Sequence, residues 1–191
     1  MDVDADLIRR IARGEAGAFR ALVERWETSA YNFFLRLAGA PEDAEDLTQE
    51  LFVALYRSSG RYRPEAPFKA YFYRIASNLA ASHLRRRKSR GTVSIDAMME
   101  EGFDVASARE DDDPAATFDA RETRRRYEAA LRGLPPEWRI ALELRVSREL
   151  SYEEIASAMG KSVSAVESLL FRARERIARE MSAGDRPGKG G

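Results

Sequence analysis

The chain has 191 residues, 44% of them apolar and 34% charged, with 32 Lys and Arg set against 32 Asp and Glu. That length suits one large or two small domains, and that apolar content excludes a wholly disordered chain. With no cysteine, no apolar leader in the acidic N-terminus and no apolar run near the roughly 20 residues of a membrane span, disulfides, thiolate metal sites, export and membrane insertion are all unexpected, and a reducing cytoplasm fits.

Alanine, leucine, arginine and glutamate dominate, and no run of alternating Val, Ile and Thr appears, so the expected class is all-α. Residues 4–90 read as one helical unit. Leu7, Ile8, Ile11, Phe19, Leu22, Val23 and Trp26 recur at three- and four-residue steps, and Tyr31, Phe34, Leu35 and Leu37 continue them. Gly39-Ala40-Pro41 breaks this pattern. Pro41 suits the first turn of a new helix, and Glu42 and Asp43 suit its positive end. Ala44, Leu47, Leu51, Ala54 and Leu55 form the apolar stripe of that helix, while Glu42, Asp43, Glu45, Asp46 and Glu50 crowd its other side. A solvated exterior, a protein-docking surface and a hard-metal or acid-base site all use such carboxylates.

Ser58 to Pro67 read as a loop, and a helix follows from Phe68 to about Arg90. Phe68, Phe72, Ile75 and Leu79 share one face and read as core. Tyr71, Arg74, Asn78, Ser82 and Arg85 share another, and a basic run from Arg85 to Arg90 ends the helix. Aromatic rings beside cations suit single-stranded nucleic acid, where bases stack and the backbone needs positive charge. The same rings at helical spacing also suit simple packing. His83 reads as a surface residue, since no second His and no Cys exists to share a metal with it.

From 91 to 114 the periodicity fades and Glu110-Asp-Asp-Asp113 forms an acidic run, which reads as a flexible linker with possible short helical pieces. A second helical unit is expected over 115–181, with a disordered tail at 182–191. Leu131 to Pro136 marks the break between its first two helices. Ser151-x-x-Glu154 matches a capping box, Ile155, Ala156 and Met159 face inward, and Gly160 suits a left-handed turn. Ser162 can cap the helix that follows, whose buried stripe is Val163, Val166, Leu169 and Leu170. Its other face presents Ser164, Ala165, Glu167, Ser168, Phe171 and Arg172. This is the layout of a helix-turn-helix, whose second helix reads base edges in the major groove, with Arg174, Arg176 and Arg179 available for phosphates.

Taken in order, Ala44 to Phe52, Phe68 to Asn78, Leu134-Pro-Pro-Glu-Trp-Arg139, Ser151 to Ala156 and Phe171 to Arg174 closely resemble the extracytoplasmic-function group of the sigma-70 family. The resemblance implies two helical domains, regions 2 and 4, and a promoter-specificity subunit of bacterial RNA polymerase that does no catalysis and needs no metal or cofactor. It implies that Asp43, Asp46, Gln49, Glu50 and Phe52 dock on the beta-prime clamp of core polymerase, with region 4 on the beta flap. Tyr62, Arg63, Lys69, Tyr71, Asn78, Ser82, Arg85 and Arg86 would recognise and melt the minus-10 element, with residues 62–67 capturing a flipped base. Ser162, Ser164, Ala165, Glu167, Ser168, Phe171 and Arg172 would meet the minus-35 element. An anti-sigma protein is a further implied partner. The chain departs from the family pattern at Tyr71, where tryptophan is usual, and at Glu167, where many members carry a basic residue. Two rival functions are a stand-alone DNA-binding regulator and a metal-dependent nuclease using Glu42, Asp43 and Asp46.

Overall fold

The computed structural model describes residues 2–63, 67–91 and 118–184, and among them it is all-α, with eight α-helices and one 3-10 turn. The expected linker and most of the expected tail lie outside the described residues. Four helices build the first lobe: α1 (Val3–Ala12), α2 (Ala16–Ala38), α3 (Pro41–Ser58) and α4 (Phe68–Gly91), with the 3-10 turn at Ser59–Arg61. Four more build the second: α5 (Phe118–Arg132), α6 (Pro136–Val146), α7 (Tyr152–Met159) and α8 (Val163–Gly184). Helix α8 therefore passes the expected end of its unit by three residues, Ser182 to Gly184.

Local chemistry accounts for most boundaries. Asp2 caps α1, accepting from the backbone N–H of Asp4 and Ala5, and Arg9 and Arg10 sit in the last turn, where cations suit the negative helix end. Gly14, at φ 84°, then turns the chain into α2, a break that the apolar recurrence from Leu7 to Leu37 does not announce. Helix α2 ends at Gly39, also left-handed, and α3 starts on Pro41 with Glu42 and Asp43 in its first turn.

The first lobe is built round aromatic side chains. Phe33, Phe34, Phe68, Phe72 and Tyr73 are almost fully buried with Leu22, Leu51 and Leu55. Trp26 leans on this group, its ring 4.4 Å from Phe72 and 5.4 Å from Phe68. Burying one such side chain contributes roughly 1.5–3 kcal/mol. In the second lobe, Ile140, Leu144, Leu150, Ile155, Val166 and Leu170 fill the space between α6, α7 and α8. Val163 is not in that stripe. It is 36% exposed at the start of α8, and Ala173, one turn beyond Leu170, is buried in its place.

The lobes are not separate bodies, because α4 lies against α7 and α6, and α2 lies against α6. Helix α4 is consequently three-sided. At about 100° per residue, Phe68, Phe72, Ile75 and Leu79 point one way, towards the first lobe's own core. Tyr73, Ala76, Ser77, Ala80 and Leu84 point a second way and are also buried. Tyr73 feels Glu143 and Arg148 of the second lobe, and Ser77 shares a cavity with Glu137, Ile140 and Met159. The third side carries Tyr71, Arg74, Asn78, Ser82 and Arg85.

Polar contacts stitch the seam. Arg139 Nη2 donates to the Leu37 carbonyl at 2.7 Å, and Lys69 Nζ donates to the Arg148 carbonyl at 3.1 Å. Arg36 donates to Ser147 Oγ and lies 3.8 Å from the Glu143 carboxylate, which also faces Arg148 at 3.6 Å. Burial, with the Arg87 and Arg132 charges nearby, depresses Arg139 to about 10. His83 is half-buried rather than on the surface: its Nε2 lies 3.6 Å from Asp43, on the adjoining helix α3.

Candidate nucleic-acid interface

The second lobe contains a helix-turn-helix made of α7, the turn at Gly160 and α8. Ser151 Oγ accepts from the Glu154 N–H at 3.1 Å, and the Glu154 carboxylate accepts from the Ser151 N–H at 2.7 Å, so both halves of the capping box form. Gly160 closes α7 at φ 61° and ψ 39°, which brings the Lys161 N–H to the Ala156 carbonyl at 2.9 Å. Buried Ala156 and Ala158 let α7 pack closely. Ser162 Oγ then accepts from the Ala165 N–H at 3.2 Å and starts α8.

These devices leave one face of α8 open. Ser162, Ser164, Glu167, Ser168, Phe171 and Arg172 are exposed and Ala165 is half-buried. Phe171 is 61% exposed, unusual for a side chain of that size. Ser168 Oγ donates to the Ser164 carbonyl, so the early serines add little bulk. Arg172 has no carboxylate partner among the described residues, which leaves its guanidinium available. Arg176 is tied to Glu180 at 2.9 Å, whereas Arg174 and Arg179 are exposed.

The first lobe presents the third side of α4. Arg74, Asn78 and Arg85 are exposed there, Tyr71 and Ser82 are half-buried, and Arg86, also exposed, projects from the adjoining side. Tyr71 is fixed in place: its hydroxyl lies 2.7 Å from Ser58 Oγ, and its ring stands 5.1 Å from Tyr62. Tyr62 is only 6% exposed, packed against Phe68 and Tyr71, so it supports the aromatic site rather than presenting a free ring. Burial, helped by the Asp2 charge, pushes its phenol pKa up. Arg63, next to it, is exposed. Lys69 stands apart from this group. It lies two residues before Tyr71, a rotation of about 200° in a helix, and its amine is spent on the seam. The cavity beside Asn78 and Arg85 is walled on its far side by Glu137 and Lys161 of the second lobe, about 290 Å³ in all.

Helix α3 carries the third surface. Asp46, Gln49 and Glu50 are exposed along one face. Val53 and Tyr56 extend that face and are 46% and 53% exposed, a mixed acidic and apolar strip whose apolar half the sequence reading missed. Its signal was the same three- and four-residue spacing running on from Asp46. Phe52 does not belong to it, being 7% exposed and packed edge-on to Phe19. Asp43 is turned towards His83 and Arg87 of α4, away from the strip. Among the described residues no three His, Asp or Glu side chains converge on a point that could hold a metal ion, and no helix is long and apolar enough to cross a membrane.

Comparison with known proteins gives this arrangement a family. Residues 22–90 match Sigma-70 region 2 and residues 124–177 match Sigma-70 region 4. RNA polymerase sigma-H factor of Pseudomonas aeruginosa is 34% identical over 91% of this chain and 91% of its own length. ECF RNA polymerase sigma-E factor of Escherichia coli K12 is also 34% identical, over 91% of this chain and 92% of its own. In fold, the chain is similar to CnrH solved with the cytosolic domain of CnrY (TM-score 0.66, 24% identity, 95% of this chain and 99% of that one). It is likewise similar to the sigma factor RpoE solved with the anti-sigma factor NepR from Bartonella quintana (TM-score 0.60, 23% identity, 88% and 98%). With both regions present in order and relatives matching along nearly its whole length, the chain belongs to the sigma-70 family, as an extracytoplasmic-function sigma factor that serves as the promoter-specificity subunit of bacterial RNA polymerase.

Proposed function

We propose that the exposed face of α8 reads the minus-35 duplex while the third side of α4 holds the separated minus-10 strand. The observation that carries this reading is that Arg74, Asn78, Ser82 and Arg85 gather on the side of α4 that neither lobe covers. A base leaving the duplex gives up stacking worth a few kcal/mol, and its new contacts must return a similar amount. Tyr71 offers a ring already held by Tyr62 and Ser58, so little ordering cost remains. Asn78 offers an amide for a base edge, and Arg74, Arg85 and Arg86 offer charge for phosphates. In α8, Arg172 suits a guanine edge and Glu167 a cytosine amino group. The strip of Asp46, Gln49, Glu50, Val53 and Tyr56 docks on core polymerase. The protein works in the cytoplasm and makes or breaks no covalent bond.

This scheme requires the lobes to part. The centres of the two elements lie about 25 base pairs apart, roughly 85 Å of B-form DNA at about 3.4 Å per pair. Lobes that touch through α4 and α7 cannot span that length. An inhibitory partner, of the kind bound in the Bartonella complex, would act by holding the closed form.

The test is a randomised promoter library transcribed by holoenzyme carrying either of two variant sets. Glu167→Gln and Arg172→Ala should change only the selected minus-35 bases, with Arg172→Ala costing about 1–3 kcal/mol of duplex affinity. Asn78→Ala and Ser82→Ala should change only the minus-10 bases. If either set leaves its element's sequence unaltered, those residues are not its readers.

A further inference from the structure

We propose that Asp2 is a positioning residue for minus-10 base capture, one carboxylate that caps α1 and α4 together and so holds the aromatic site at the start of α4 in register. The inference rests on the reading of Tyr71 and Asn78 as minus-10 contacts given above.

Asp2 Oδ1 accepts from the N–H of Asp4 at 3.0 Å and of Ala5 at 3.2 Å. Its other oxygen, Oδ2, accepts from the N–H of Phe68 at 3.1 Å, 66 residues along the chain. Among the described residues, helix α4 has no side-chain cap from its own neighbourhood in the sequence. Pro67 precedes it, and a proline side chain has no oxygen to offer the first N–H groups, although its carbonyl accepts from Ala70 at 3.0 Å. The missing acceptor arrives from the far end of the lobe. Two positive helix ends thus share one negative charge. Burial works against that charge, yet the Phe68, Ala5 and Asp4 N–H groups outweigh it and hold the Asp2 pKa below the ordinary aspartate value, so the carboxylate is ionised at neutral pH.

What Asp2 holds is the residue on which the site is built. The Phe68 ring is fully buried, 6.3 Å from Tyr62, 6.4 Å from Tyr71 and 5.4 Å from Trp26. A shift of the Phe68 backbone therefore moves both tyrosines. Helix α1 is itself anchored, because Asp4 accepts from Arg25 of α2 at 2.7 Å. The strap runs from α2 through α1 to the first residue of α4. Nothing in the sequence around Phe68 hints at it, since the partner is the second residue of the chain.

The two oxygens permit a clean test. Asparagine caps a helix about as well as aspartate, but it has one oxygen in place of two and cannot serve both helices. Serine likewise caps α1 and does not reach Phe68. Holoenzymes carrying wild type, Asp2→Asn or Asp2→Ser are titrated with four single-stranded minus-10 oligonucleotides that differ only at the captured base. The readout is the ratio of affinities between the best and worst base. Both variants should lower that ratio about tenfold or more, the loss expected for a charge-assisted hydrogen bond. Affinity for a minus-35 duplex should stay unchanged. A purely stabilising role would reduce the active fraction for all four strands equally and leave the ratio where it was; that result overturns the inference. If wild type shows no preference among the four bases, the capture reading itself is wrong and the inference falls with it. If wild type discriminates and the variants match it, only the role of Asp2 is lost.

Discussion

Replacing Arg36 by alanine should loosen the seam between the lobes without unfolding either one. Arg36 donates to Ser147 across the seam and lies 3.8 Å from Glu143. The side chain is 37% exposed, so its ion pair is discounted to roughly 0.2–1 kcal/mol, and its hydrogen bond adds about 0.5–1.5 kcal/mol. Glu143 is not stranded by the change. It keeps Arg148 at 3.6 Å and still accepts from Ser147 at 3.0 Å. The net effect is therefore roughly 1–2 kcal/mol on the closed-to-open equilibrium, a shift of about five- to thirtyfold. The chain has no cysteine, so Glu27→Cys and Glu175→Cys, one exposed site on each lobe, provide two unique labelling positions. Energy transfer between dyes there should fall in Arg36→Ala, and urea unfolding of the labelled chain should show each lobe still folded. Salt should lower transfer in the wild type more than in the variant, since a half-exposed pair is screened. Unchanged transfer with intact lobes would refute the assignment of Arg36 as a tie across the seam.

Three further predictions concern stability. Gly160→Ala should cost about 1–2 kcal/mol through the backbone alone, because the position has φ 61° and an added Cβ would meet no atom within 4 Å. Ser151→Ala should cost about 1 kcal/mol by removing the acceptor for the Glu154 N–H. Both are read from denaturant melts. Tyr73 is a pH probe of the first lobe. Burial is the main cause that pushes its phenol up to about 12, from an unfolded value near 10. The sign follows from which state ionises first. Below pH 10 both states are neutral and Tyr73 has no effect, and from 10 to 12 only the unfolded state ionises, so stability falls as pH rises. Tyr73→Phe should flatten that part of the profile, and an unchanged slope would show that the ring is not so deeply buried.

Much of the site was legible because its signals are local. Ser151, Glu154, Gly160 and Ser162 lie within 12 residues of one another, and each performs the capping or turning role its chemistry suggests. The open side of α4 was legible for the same reason, since Tyr71, Asn78, Ser82 and Arg85 repeat with the helix. What was hidden depends on partners distant in sequence. The stripe of Phe68, Phe72, Ile75 and Leu79 accounts for one buried side of α4. Ser77 is buried on a second side that α6 and α7 cover, and no periodicity within α4 announces a neighbour about 60 or more residues away. The family resemblance sets Lys69 among the minus-10 residues, and its bond to the Arg148 carbonyl across the seam has no signal in the local sequence. Val163 fits the apolar spacing of α8 but sits in its exposed first turn, where no facing helix covers it, and Ala173 takes the buried place. Asp2 carries no signal at all beyond being a good cap for its own helix.

The most direct measurement of the central claim is run-off transcription by core polymerase that lacks any sigma factor, on a genome-wide template, with and without this protein. The account predicts new starts, preceded by two shared elements at a fixed spacing, that disappear when the exposed α3 strip is reversed by Asp46→Lys and Glu50→Lys. No gain in initiation from the unmodified chain, with no inhibitor present, would contradict it.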